Sequence, residues 1–327
     1  MTDLTIGIAV ARYLETIELA RSSNTKRTYY NGVLQFLNLL REKEINPDKT
    51  LIEDLPEDSV SWFIASLKNY SPSTERLYLT AVMGFFEYVA SERLSDINLP
   101  RLRLLVKHRA RKPGQRLPQF PQDDIDRVLE YIETLKTIPT EANEERLRNL
   151  RDRAFLITLA DTGLRVHEAC NLRRGDLDWN EGHAIVVGKG NRQAIVRFSR
   201  RAQQAIKDYL DARFSLDGAS KRPLTSLPVF ARHDKGAGKK VIPITTATGR
   251  NIINRIVESA LGADKVGKIT PHSLRHYFVT RVLRVSGNLK LAQELARHRN
   301  IAVTQRYAHL SDSELDRGYW EVFEEGT

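Results

Sequence analysis

The sequence predicts a mainly α-helical chain with a small β-sheet or hairpin, divided into two domains, and three observations predict it. Residues 5–95 hold four amphipathic patterns at helical spacing and no strand signature. The stretch AIVVGKGNRQAIVRF, residues 184–198, reads as two short strands about a glycine-rich turn. Between them, residues 101–116 carry Arg101, Arg103, Lys107, Arg109, Arg111, Lys112 and Arg116 with no acidic residue, and Pro113 and Gly114 interrupt any helix. A chain of 327 residues is long for one small domain and suits two, each able to bury its own core.

Lys and Arg number 51 against 41 Asp and Glu, a formal net charge of +10 with a pI near 9.6. Such a field favours polyanions, nucleic acid first among them. The one cysteine, Cys170, excludes an internal disulfide and a cysteine-based metal cluster and points to a reducing compartment. The first twenty residues lack a basic start followed by an apolar run, and no apolar stretch is long enough to cross a bilayer. A cytoplasmic protein without a membrane anchor is expected.

In the first domain, Tyr29, Val33, Phe36, Leu37 and Leu40 recur at helical spacing behind Asn24 or Thr25 as cap. Pro56, Glu57 and Asp58 open a helix burying Val60, Phe63, Ile64 and Leu67. Ser71 to Thr74 open another burying Leu77, Val82, Phe85, Phe86 and Val89. These aromatics read as the core of a helical bundle. Arg21, Lys26, Arg27 and the Ser71, Ser73, Thr74 cluster offer side chains and unpaired helix-start donors to phosphates. The basic run is expected to be a flexible linker over 99–116, a strap along a polyanion backbone in which Arg109, Arg111 and Lys112 make phosphate contacts.

Residues 121–124 cap a helix carrying Ile125, Val128, Leu129 and Ile132, and a partner pattern runs over 150–160. The segment 136–149 reads as an exposed polar insertion. Gly163 ends the partner helix and helical spacing resumes over 164–172, with Arg165 at the junction and Glu168 three residues on, placed to orient its guanidinium. Lys189 sits near the tip of the hairpin. It does not belong to a nucleotide-binding loop, whose second glycine, lysine and serine are missing. Residues 215–240, rich in Gly, Ser and Lys, read as a loop before a helix near Thr248.

The stretch 270–310 is the most informative. Thr270 and Pro271 start a helix on which His272 and Arg275, three apart, share a face and can converge on one phosphate. His298 and Tyr307 follow, and a phenol beside a cationic pocket is a candidate nucleophile for a phosphodiester. Tyr277 points to another face and reads as core, while His276, His309 and Cys170 read as structural.

Taken in order, TGLRVHEACNL, VVGKGNR, PHSLRHYFVTR and LARHRNIAVTQRYAHL resemble the tyrosine recombinase family, also called the phage integrase family. The resemblance covers residues 117–310 by motif, and by pattern it extends to 5–98, which look like the family's helical core-binding, SAM-like domain. It implies domains at 1–98 and 117–327 joined by the linker and closing as a C-shaped clamp on DNA. It also implies a site-specific recombinase working through a covalent 3′-phosphotyrosine, without metal, ATP or other cofactor. Tyr307 would be the nucleophile, Arg165 and Arg275 would hold the non-bridging oxygens, and Lys189 would protonate the departing 5′ oxygen. His272 would assist proton transfer, His298 would hydrogen-bond the phosphate, and Glu168 would support from behind. The implied partner is double-stranded DNA at inverted-repeat core sites, bound by a homotetramer. Its subunits would exchange a C-terminal tail helix bearing Leu315, Tyr319, Val322 and Phe323. The core-binding pattern begins almost at the first residue, which sets the expectation nearer to Xer-type or simple mobile-element recombinases. A type IB topoisomerase-like relaxing enzyme and a catalytically silent DNA-binding architectural protein are the alternatives. One departure stands out: Ala296 and Arg297 precede His298 where relatives commonly carry leucine and glycine.

Overall fold

The structure, a computed structural model, describes residues 4–20, 23–111, 121–188, 192–298 and 300–305. The chain forms two compact units, residues 1–115 and 116–327.

The first unit is a helical bundle of α1 (Ile6–Ala20), α2 (Ser23–Glu42), α3 (Ser59–Ser66), α4 (Pro72–Ser91) and α5 (Leu99–Arg109). Its core is aromatic at the centre, with Phe36 edge-on to Phe63 and Phe86 at centroid distances of 5.4 and 5.9 Å. α4 begins as the sequence predicts: the Ser71 hydroxyl accepts the Thr74 N–H at 3.2 Å and Pro72 takes the first turn. Leu77, expected inside, is 52% exposed, and Leu79 is buried in that turn instead.

Residues 99–109 are not a strap. Asn98 caps Arg101 at 3.0 Å, and Leu102 is fully buried with Leu99, Leu105 and Val106 packed against the bundle. The arginines that obscured this helix lie on its outer face, where Arg101 pairs with Glu57 and Asp58 and Arg103 with Glu87. The helix is then fastened at its end. Glu75, whose side chain is fully buried, receives the Arg111 N–H at 2.9 Å, its Nε at 2.6 Å and Lys68 Nζ at 3.1 Å, while Arg111 also donates to the Tyr70 carbonyl at 2.6 Å. Burial alone would raise the Glu75 pKa, but the Arg111 and Lys68 donors outweigh it and hold the carboxylate below its usual range. Arg111 is thus committed to its own bundle. Lys112 lies outside the described residues.

The second unit is built on α7 (Asn143–Thr162), buried on most of its surface. Around it lie α6 (Gln122–Thr134), α8 (Val166–Asn171), α9 (Arg200–Ala212), α10 (Phe214–Ala219), α11 (Thr246–Leu261), α12 (Pro271–Ser286), α13 (Leu289–Ala296) and α14 (Ile301–Gln305). Residues 143–149, expected to be an insertion, are the first two turns of α7, fixed by buried Leu147. The loop expected over 215–240 contains most of α10. The sheet is antiparallel, β1 (Leu177–Asp178), β2 (His183–Gly188) and β3 (Arg192–Arg197), with Ala184 opposite Val196 and Gly188 opposite Arg192. Ala184, Val186 and Val196 face the core, and Ile185, Val187 and Ile195 face outward. The chain is therefore mainly α with a small three-stranded sheet, as expected, although β1 and α9 went unread.

A buried polar network backs this unit. Arg213, fully buried, pairs with Asp217 at 2.8 Å and donates to the Tyr209 hydroxyl and the Val229 carbonyl, both at 3.0 Å. His233 Nε2 meets the same hydroxyl at 2.7 Å. Burial, with the charges of Arg151, Arg213 and Arg148, pushes the His233 pKa down to about 3. The unfolded chain, with an ordinary imidazole, therefore binds a proton that the folded chain refuses. The stability this histidine supplies is complete above its usual pKa and is lost as pH falls from there towards 3. Between pH 7 and 5 the second unit is expected to lose about 2 kcal/mol through this group. Denaturant unfolding of the wild type and His233→Gln at both pH values checks this, and an equal pH dependence in the two proteins would contradict it.

Candidate active site

The site is assembled from three chain reversals in the second unit. α7 stops at Gly163, whose φ of 59° is left-handed and whose missing Cβ makes room for the Phe278 ring. Two residues later Arg165 precedes α8. Glu168 reaches back from the first turn of α8 to accept the Arg165 N–H at 2.9 Å and Arg165 NH1 at 3.1 Å. Burial would raise the Glu168 pKa, but the Arg297 charge and the Arg165 N–H hold it below the usual carboxylate range.

α12 brings the second arginine. Thr270 and Ser273 cap each other's backbone N–H groups at 3.2 and 3.1 Å, and Pro271 takes the first helical position. Arg275 is buried, with NH1 donating to the Gly163 carbonyl and NH2 to the Ala296 carbonyl. One guanidinium therefore joins the end of α7 to the end of α13. His272, one turn earlier, remains exposed on one side and packs edge-on to His276 at a centroid distance of 4.0 Å.

The third reversal carries His298. α13 ends at Arg297 in a left-handed conformation, and the His298 N–H returns to the Gln293 carbonyl at 3.0 Å. At the departure noted in the sequence, Arg297 thus adopts the left-handed conformation that glycine prefers. His298 Nδ1 lies 2.9 Å from the Thr304 hydroxyl, and the Gln293 amide donates to its carbonyl at 3.0 Å. Burial, then the positive charges of Arg275 and Arg165, push the His298 pKa down to about 4. The same causes lower that of His272. Both imidazoles are neutral at neutral pH.

Arg165, His272 and Arg275 line one pocket of about 310 Å³ together with Arg250, Val166, Thr270 and Pro271. Arg250 was not foreseen. It comes from the first turns of α11, and only the packing of α11 on α8 brings it here, so no local spacing signals it. Thr304, which holds the His298 ring, was also missed. Lys189 and Tyr307 lie outside the described residues. Tyr277 is buried and donates to Asp126 at 2.8 Å, and burial pushes the Cys170 thiol up to about 12. Among the described residues no cluster of three or more His, Cys, Asp or Glu side chains is placed to hold a metal ion, and no helix is long and apolar enough to cross a membrane. In the first unit, Arg27, Ser73 and Arg109 are exposed, while Lys26 pairs with Glu18.

A pocket lined by the guanidiniums of Arg165, Arg250 and Arg275 and by the neutral imidazole of His272 makes an anion-binding site of a kind that suits a phosphate, on a mainly helical scaffold. The chain belongs to the phage integrase family, whose model matches residues 120–314. It is 28% identical over 312 residues to the tyrosine recombinase XerC of Thermodesulfovibrio yellowstonii, covering 95% of this chain and 94% of that one. It is also 28% identical to XerC of Staphylococcus aureus over 310 residues, covering 94% and 93%. The fold is shared with the XerH site-specific recombinase bound to a palindromic difH substrate, with TM-score 0.67, 19% identity and coverage of 99% and 91%. It is shared as well with a lambda integrase dimer bound to a core site, with TM-score 0.63, 14% identity and coverage of 94% and 77%.

Proposed function

We propose that this chain is a site-specific DNA recombinase that cuts and rejoins strands through a covalent 3′-phosphotyrosine. The observation that carries the proposal is the convergence of Arg165 and Arg275, each fixed from behind, on one open pocket shared with a neutral His272. Forked guanidinium donors match the oxygens of a phosphodiester and gain strength as negative charge develops in the transition state. Tyr307 attacks the phosphorus as its phenolic proton passes to the neutral His272 imidazole, and the bond to the 5′ oxygen breaks with Lys189 delivering a proton to that oxygen. With Nδ1 turned to the Thr304 hydroxyl, His298 presents Nε2 to a phosphate oxygen. One phosphodiester is exchanged for another, so a 5′ hydroxyl from a second duplex can reverse the step on a new partner without ATP.

The basic net charge and the exposed Arg27, Ser73 and Arg109 support binding to the phosphates of duplex DNA over inverted-repeat core sites, with Lys26 and Lys112 as further candidates. The buried thiol at Cys170 suits a reducing, cytoplasmic setting. We place the working assembly as a homotetramer linked by exchange of the tail beyond residue 310. Deleting residues 311–327 is then expected to abolish pairing of two duplexes in a native gel while sparing binding to a single half-site. Loss of folding on deletion would count against tail exchange.

The deciding experiment is a nicked suicide duplex, from which the cleaved flank diffuses away and traps the protein on DNA. A denaturation-resistant protein–DNA adduct supports the recombinase, and absence of adduct on any bound site would leave a DNA-binding protein without turnover.

A further inference from the structure

Arg297 occupies a position that folding alone would give to another residue. Its backbone, at φ 57° and ψ 44°, lies in the left-handed region that strains an L side chain and leaves glycine unstrained. Its Nε is buried with no partner among the described residues, a further cost. What the side chain makes is one specific bond, from NH2 to Glu168 Oε2 at 2.8 Å. That carboxylate is fully buried and already receives the backbone N–H and NH1 of Arg165. The residue before Arg297 supplies the carbonyl that holds Arg275, and the residue after it is His298.

We infer that Arg297 is a positioning residue that ties the turn at the end of α13 to the start of α8. Through that tie, Arg165, Arg275 and His298 keep one mutual geometry around the phosphate. The charged groups facing Glu168 are Arg165 and Arg297, so the carboxylate is shared between two guanidiniums. With Arg297 gone, Glu168 has only Arg165 to neutralise it and draws that guanidinium into a two-oxygen grip, away from the pocket. At the same time the turn carrying His298 loses its tether. Misplacement by an ångström is enough to slow an oriented reaction by on the order of a hundredfold. Substrate binding, which is spread over many phosphate contacts, changes little.

The inference rests on the recombinase reading, and the experiment separates the two. Single-turnover adduct formation on the suicide duplex is measured for wild type, Arg297→Gly and Arg297→Lys, with half-site affinity, melting temperature and the pH profile of cleavage recorded for each. Glycine accepts the left-handed turn without strain, so Arg297→Gly is expected to melt close to the wild type and to bind the half-site within about threefold. Its cleavage is expected to be slower by about tenfold to a hundredfold, with partial recovery in Arg297→Lys. The acid limb of cleavage should move to higher pH in Arg297→Gly, because Glu168 loses the charge that keeps it ionised. Wild-type cleavage in Arg297→Gly with an unmoved acid limb would overturn the tether. So would a loss of rate matched by an equal loss of melting temperature and binding. No adduct from the wild type would instead overturn the recombinase reading.

Discussion

Tyr307→Phe is expected to bind a half-site within about twofold of the wild type and to form no adduct with the suicide duplex at all. The phenyl ring keeps the volume and apolar surface of tyrosine and removes only the oxygen proposed to bond to phosphorus, so the loss should fall on chemistry and not on docking. A phenol titrates near about 10, so at neutral pH it is a weak nucleophile unless its anion is favoured. On the proposed mechanism, the charges of Arg165, Arg275 and Arg250 that line the pocket would supply that bias. The readout is a band that survives denaturation, present in wild type and absent in the variant. A persistent band would move the nucleophile elsewhere. Tyr277 is no substitute: it is buried and engaged with Asp126 and Arg281, and burial raises its pKa.

Arg275→Ala is expected to lower the single-turnover cleavage rate by on the order of a thousandfold or more, because an arginine at the transferring phosphoryl group acts mainly on the transition state. It should also lower stability. The Gly163 and Ala296 carbonyls both lose their donor, and each buried polar group left unsatisfied costs about 1 to 3 kcal/mol. The two losses are separated by Arg165→Ala, whose guanidinium side chain is 44% exposed and whose removal leaves Glu168 paired with Arg297. That variant should show the rate loss with little change in melting temperature. A rate reduced less than about tenfold in both variants would remove the two arginines from the chemistry.

The sequence made the helical starts and the order of the pocket residues readable because both are local. Ser71 before Pro72, and Thr270 before Pro271, each write a helix start in two or three letters. His272 and Arg275 share a helical face by spacing alone. What escaped was set by distant packing or masked by charge. α5 was hidden under arginines whose partners, Glu57, Asp58 and Glu87, lie far back in the chain. α9 is the exception: it buries Ala202, Ala205, Ile206, Tyr209 and Leu210 on one face behind the Ser199 cap, a marked helical-period pattern that was legible locally. Arg250 and Thr304 reach the site from α11 and α14, so only tertiary structure gives them neighbours. Arg297 was visible as an oddity beside His298. Its pairing with Glu168, 129 positions away, was not.

Two of the acceptors that aim Arg275 are main-chain carbonyls, those of Gly163 and Ala296. Those two bonds depend on the path of the backbone and not on the identity of the side chains at either acceptor, so a lineage or a directed-evolution library can vary much of the surroundings while the ends of α7 and α13, and the tie from Arg297 to Glu168, are kept. Variants that retarget the protein should therefore accumulate on exposed helix faces, and dead ones should cluster at the two turns even when they alter no group that meets DNA.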